Sequence, residues 1–176
     1  MIEVRNVTKT YGKKKNVFTA LDDVSFTIPD GATVAFVGKS GSGKSTLMHT
    51  MSGLDRPEVG EIIIDGENIL KFKQKAVDRF RSERMSFIFQ SFFVQGNESC
   101  YNNVSLPLEI AKLTSSKRRS KILHALKSVG LEDKVKSRAR DLSGGQKQRL
   151  AVARAIVNDP QILFADEPTG NLDSAT

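Results

Sequence analysis

Two short stretches carry the side chains best placed to do chemistry. The first, Gly38-Lys39-Ser40-Gly41-Ser42-Gly43-Lys44-Ser45, matches G-x-x-x-x-G-K-[ST] and runs on into Thr46. Its glycines let consecutive backbone N–H groups turn inward around phosphate oxygens. Lys44 would reach the outer phosphates as a point charge, and the Ser45 hydroxyl would be a magnesium ligand. The second stretch, Asp166-Glu167, follows the apolar run Ile162-Leu163-Phe164-Ala165. That run predicts a buried strand whose end faces Asp166 toward the magnesium and leaves Glu167 for an attacking water. Together they point to nucleoside triphosphate hydrolysis.

Such a loop needs a strand before it and a helix behind it; without them it is an ordinary Gly/Ser turn. Thr33-Val34-Ala35-Phe36-Val37 is a short continuous apolar run, the pattern of a strand buried on both faces. Ser45 to Met51 has no breaker before Gly53 and reads as a helix whose N-terminus can hold an anion. Upstream, Ile2 to Val7 and Ala20 to Ile28 read as strands, the latter closed by the turn signal Pro29-Asp30-Gly31. Gly60 to Gly66 is another strand with turns at both ends, and Met85 to Phe89 a buried strand ending at Gln90. Lys71 to Arg84 looks helical. Helical spacing dominates from Val104 to Leu131, and Gly130 marks a helix end. Ser143 sits where an N-cap belongs, ahead of a helix through Val157 that stops at Asn158-Asp159-Pro160.

The bulk numbers fit one domain, or one domain with a small lobe. The chain has 176 residues, 39% hydrophobic and 27% charged, a globular composition able to bury a core. No stretch approaches the ~20 apolar residues that span a bilayer. The single Cys100 excludes an internal disulfide framework and favours a reducing compartment, with cytoplasm the default. The net charge of +7 is bunched in Lys13-Lys14-Lys15, Lys71 to Lys75, Lys117-Arg118-Arg119 and Lys134 to Arg140. These runs lie between the motifs and lack interleaved aromatics for base stacking. They read as solvated faces drawn to anionic head groups or ATP, and not as a nucleic-acid footprint.

Leu142-Ser143-Gly144-Gly145-Gln146-Lys147-Gln148-Arg149 is the third constellation. A serine and two glycines at a helix start expose N–H groups and a hydroxyl to an anion. One phosphate loop already cradles one nucleotide, so a second anion-binding helix start needs its own explanation. At this point the chain resembles the ATP-binding cassette (ABC) ATPases, whose signature motif this is. The resemblance implies an α/β P-loop NTPase with a RecA-like parallel core sheet, an N-terminal antiparallel β-subdomain and a helical subdomain. In a single domain, incomplete at its C-terminus, about 1–90 would hold the β-subdomain and the P-loop core, 91–142 the mainly helical subdomain, and 143–176 the signature helix, the Asp166 strand and the Asp173 loop. It further implies a head-to-tail dimer, with Ser143, Gly144, Gly145 and Gln146 of one subunit on the ATP of the other.

Position by position, the resemblance assigns Tyr11 to adenine stacking and Gly38 to Thr46 to the phosphates. Ser45, Gln90 and Asp166 become magnesium ligands, with Gln90 also the hinge that senses a membrane partner. Glu167 is the base or water-polarising residue, and Asn171-Leu172-Asp173 the loop that crosses the dimer interface. Phe89 to Phe92 and Glu167 to Ser174 look like the group of lipoprotein-release, macrolide-export, antimicrobial-peptide-resistance and cell-division ATPases. That implies a peripheral subunit at the cytoplasmic face of the membrane, paired with an integral permease.

Two departures stand out. Between Val94 and Val104 the segment is more polar than the family's, with Asn102 in place of an acidic residue, which puts the permease's identity in doubt. The family's switch histidine lies beyond the Asp173 loop, and neither His49 nor His124 occupies that place. The expectation is therefore a fragment of a longer ATPase. A competing reading is an ATP-gated regulatory module with little hydrolysis, acting on a membrane or division partner. A soluble relative in DNA repair or translation is disfavoured by the single cassette and the lack of a long heptad segment.

Overall fold

The computed structural model describes residues 1–13 and 16–168. The chain forms two compact units, Met1–Arg79 and Phe80 onward.

The first unit is built on an antiparallel sheet in the order β2-β1-β3-β4. Strand β1 (Ile2–Tyr11) pairs on one edge with β2 (Phe18–Ile28) and on the other with β3 (Val59–Ile64). Asp65 and Gly66 both have positive φ, 50° and 83°. They close a two-residue turn whose twist suits a hairpin, pairing Ile64 with Glu67 of β4 (Glu67–Asn68). Val4, Val7, Ile62 and Ile64 are buried, together with Leu47, Met48 and Met51 of helix α1 (Lys44–Met51). A short 3-10 turn, Ile69–Lys71, precedes α2 (Gln74–Arg84). The helix expected from Lys71 is thus broken at Phe72 and Lys73. Phe72 is extended, with ψ 145°, and its N–H closes the 3-10 turn on Ile69.

The buried strand expected at Thr33–Val37 is not there. A parallel strand makes all its ladder bonds to other segments, and no described strand pairs with this run. Val34, Phe36 and Val37 are exposed, Val37 at 93%. Phe36 still rests on Phe26 of β2, ring centroids 5.4 Å apart.

The second unit pairs β5 (Met85–Ile88) with β6 (Ile162–Ala165) in parallel, Met85 against Ile162 through Ile88 against Ala165. Beside them lie α3 (Cys100–Ile110), α4 (Ser115–Ser128) and α5 (Gly144–Ile156). Cys100, Val104, Leu108, Ile122, Leu126, Leu131 and Leu150 make one buried cluster. The helical stretch expected from Val104 to Leu131 is two helices. Lys112 takes a left-handed φ of 56°, and Lys112 N–H and Leu113 N–H close back on the carbonyls of Glu109 and Leu108, a Schellman stop. The β6 strand is not buried as expected. Phe164 is buried but Leu163 is 44% exposed, because β5 is its one ladder partner among the described residues.

Candidate active site

The phosphate loop owes its shape to one glycine. Gly43 has φ +87°, and a Cβ there would lie 2.4 Å from the Ala20 carbonyl and 3.2 Å from Leu21 Cδ2. Only glycine lets the loop sit this close to β2 while entering α1. The first intrahelical bond of α1 runs from Leu47 N–H to the Gly43 carbonyl, 2.8 Å. The N–H groups of Lys44, Ser45 and Thr46 therefore have no partner four residues back, which is what an anion site at a helix start requires. Ser42 N–H closes the loop on the Lys39 carbonyl at 3.2 Å. Gly38, Lys39, Ser40, Gly41 and Ser42 are exposed, and nothing lies within 4 Å of a Cβ built on Gly41. Lys44 Nζ folds over the loop, donating to the carbonyls of Gly38 at 2.9 Å and Lys39 at 2.8 Å. A cation beside the unpaired N–H groups of a helix start suits a triphosphate.

Tyr11 ends β1 beside this loop. Its hydroxyl donates to Asp55 at 2.6 Å, and Lys9 Nζ stands 5.0 Å from its ring centroid. Burial and the Asp55 carboxylate push the phenol's pKa up, while a bond to Thr46 pulls it down. The ring is 41% exposed, so it keeps surface for a stacking partner.

In the second unit the parallel register sets the chemistry. Asp166 N–H extends the ladder to the Ile88 carbonyl at 2.8 Å. Gln90 and Glu167, each two residues past the last paired position, then meet at the carboxyl ends of β5 and β6, where α/β sheets bind ligands. Gln90 Nε2 donates to Glu167 Oε2 at 2.7 Å. Asp166 is half-buried and Glu167 exposed, the latter with a left-handed φ of 46°. Gln90 and Asp166 offer the hard oxygen donors Mg2+ takes.

Helix α5 opens with a full capping box. Gln146 N–H donates to Ser143 Oγ at 3.2 Å, and Ser143 N–H to Gln146 Oε1 at 3.0 Å. The next helix bond is Lys147 N–H to the Ser143 carbonyl, so the N–H groups of Gly144 and Gly145 stay available. Nothing lies within 4 Å of a Cβ on Gly144. Of the expected site, Asn171, Leu172 and Asp173 lie outside the described residues. Tyr11 and the loop from Gly38 to Thr46 share the first unit; Gln90, Asp166, Glu167 and Ser143 to Gln146 share the second.

Comparison with known proteins decides what this arrangement is. The ABC transporter family matches residues 21–170. The chain belongs to that family. It is 44% identical to the methionine import ATP-binding protein MetN 1 of Enterococcus faecalis, over its whole length and 49% of MetN 1. It is 45% identical to the macrolide export ATP-binding/permease protein MacB of Hyphomonas neptunium, spanning 27% of that protein. The lipoprotein-releasing system ATP-binding protein LolD of Syntrophotalea carbinolica is 42% identical, with 78% of it spanned. The chain thus covers half or less of some relatives and most of another. Its fold matches the dimeric structure of the bacterial ABC transporter cassette MJ0796 with a TM-score of 0.91 at 39% identity, covering 99% of this chain and 77% of that one.

Two residues of this cassette escaped the sequence reading. Gln148 on α5 is fully buried and donates from Nε2 to the Pro168 carbonyl at 2.6 Å. Its signal was a polar residue on the apolar stripe of Ala151 and Ala155. Arg154, also on α5, donates to the carbonyls of Phe93 at 2.8 Å and Phe92 at 3.1 Å. Burial lowers its pKa below the ordinary guanidinium value. No local pattern announces it.

Proposed function

We propose that the chain is the ATP-binding subunit of an ABC transporter, hydrolysing ATP as a head-to-tail dimer to drive a membrane permease. The observation that carries the reading is the 2.7 Å bond from Gln90 to Glu167, which joins the hinge glutamine to the water-activating carboxylate. In this reading Lys44 and the N–H groups of Lys44 to Thr46 hold the phosphates. Ser45, Gln90 and Asp166 would hold Mg2+, which would neutralise charge on the outer phosphates. Glu167 accepts a proton from water as its oxygen attacks the outer phosphorus in line, and the bond from that phosphorus to the ADP oxygen breaks. The partner copy's Ser143 to Gln146 close over the same nucleotide.

Support for a dimer and for turnover comes from MJ0796, solved as a dimer and also in a post-hydrolysis state bound to ADP and Pi, at 38% identity. No described helix is long and apolar enough to cross a membrane. In this reading the permease is a separate segment or chain, and this subunit sits at the membrane's cytoplasmic face. We take the cargo to be a peptide, lipoprotein or drug, exported or extracted. The matches to MacB, named for macrolide export, and to LolD, of a lipoprotein-releasing system, support that choice. The test is phosphate release beside nucleotide binding. Glu167→Gln is expected to bind Mg·ATP normally and to lose turnover by about 10²-fold or more. Unchanged hydrolysis would refute the role given to Glu167, and binding without hydrolysis in the unaltered protein would favour a regulatory module.

A further inference from the structure

The signature motif explains why α5 begins as it does, but not why a glutamine lies fully buried in its second turn. Burying an amide is unfavourable unless both ends are paired. Gln148 pairs one: Nε2 reaches the Pro168 carbonyl at 2.6 Å, and Oε1 has no hydrogen-bond partner among the described residues. Stability alone would favour an apolar side chain of the same volume beside Ala151 and Ala155.

What the one bond restrains is Glu167. This residue has φ +46°, a conformation uncommon outside glycine, and it precedes a proline, which biases it toward extended backbone. Such a conformation persists only when its surroundings over-determine it. Three successive residues are each gripped by a different group. Asp166 N–H is held by the Ile88 carbonyl at 2.8 Å, the Glu167 carboxylate by Gln90 at 2.7 Å, and the Pro168 carbonyl by Gln148. Removing the third grip frees the chain to leave the left-handed well and carry the carboxylate away.

We propose that Gln148 is a positioning residue for Glu167, coupling the signature helix to the water-activating carboxylate of the same subunit. The inference rests on the reading of Glu167 given above. Ser143 and Gln148 lie on one continuous helix, Gly144–Ile156 with Ser143 as its cap. A nucleotide that seats against Gly144 and Gly145 therefore moves Gln148 with the helix, and Gln148 moves the Pro168 carbonyl. Each subunit's base then reads whether its own signature is engaged.

The test is Gln148→Met, which keeps the volume, removes the donor and also removes the unpaired acceptor. Its melting temperature should stay within about 3 °C of the unaltered protein, and its Mg·ATP affinity within twofold. kcat should fall about tenfold or more, the scale of a displaced catalytic group. In a Glu167→Ala parent, whose residual turnover is followed by labelled phosphate release over hours, adding Gln148→Met should change nothing further. A fall in kcat that persists undiminished in that parent, or no fall at all, overturns the proposal. Should the Met protein fail to fold, Gln148→Asn, one methylene too short to reach Pro168, is expected to show the same loss. Retained kcat in the Asn protein overturns the proposal equally. If Glu167→Ala turns over as fast as the unaltered protein, the reading of Glu167 fails and takes this inference with it. Normal dependence on Glu167 with no effect at Gln148 sinks this inference alone.

Discussion

Replacing Arg154 with methionine should loosen the segment that follows Gln90. The guanidinium on α5 donates to two backbone carbonyls, Phe93 at 2.8 Å and Phe92 at 3.1 Å, and Phe93 itself has a left-handed φ of 44°. A hydrogen bond to a charged group contributes about 1.5–3 kcal/mol net. Two such bonds are offset by the cost of burying the cation, whose direction shows in the lowered pKa. The net loss expected for Arg154→Met is about 2–3 kcal/mol, which for a domain of this size lowers the melting temperature by about 5–10 °C. Arg154→Lys, with one compact ammonium in place of a two-pronged fork, should lose roughly half as much. Urea titration supplies the first number, the midpoint falling at constant slope. Hydrogen exchange supplies the second, with the Gln95 amide, which donates to Asn103 Oδ1 at 2.7 Å, losing protection before those of α5. A loss below about 0.5 kcal/mol, the range of ordinary surface changes, or exchange rising first elsewhere, would show that Arg154 does not hold this segment.

Two further outcomes follow from the same geometry. Burial acts to raise the Asp55 carboxyl, but the Tyr11 hydroxyl and the Lys9 ammonium outweigh it and hold it below its ordinary 3.8. The stability this adds is complete above that ordinary value and is lost as pH falls through the lower folded one. Melting curves between pH 2 and 6 should therefore show a flatter acid limb for Asp55→Asn, and superimposable limbs would remove Asp55 from the account. Ser143→Ala deletes the hydroxyl half of the capping box and should cost about 1 kcal/mol, read as a drop of about 2–4 °C in melting temperature. No change would mean that the cap seen at α5 does not hold the helix.

How far the sequence could be read depended on whether a feature was local. Gly43 and Ser143 each fix a helix start through their own backbone or hydroxyl, so both helices begin where the residues said. The two Schellman stops make the contrast plain. Leu131 N–H to Leu126 and Gly130 N–H to Lys127 close α4 through Gly130 at φ +66°, and glycine signals that stop. The same pair of bonds closes α3 through Lys112, where a left-handed lysine leaves no compositional mark. Thr33–Val37 has the residues of a buried strand, but strand character is conferred by neighbours, and no described strand pairs with it. Gln148 and Arg154 belong to tertiary structure entirely. Each grips a carbonyl, at Pro168 and at Phe92 and Phe93, and a carbonyl has no residue-type signature.

The central claim is that two copies complete each other's nucleotide sites. Light scattering on the Glu167→Gln protein, with and without saturating Mg·ATP, tests it most directly. The account predicts one subunit mass without nucleotide, twice that mass with Mg·ATP, and a return to one when Ser143 is also replaced by arginine. A protein that keeps one subunit mass at saturating Mg·ATP would contradict it.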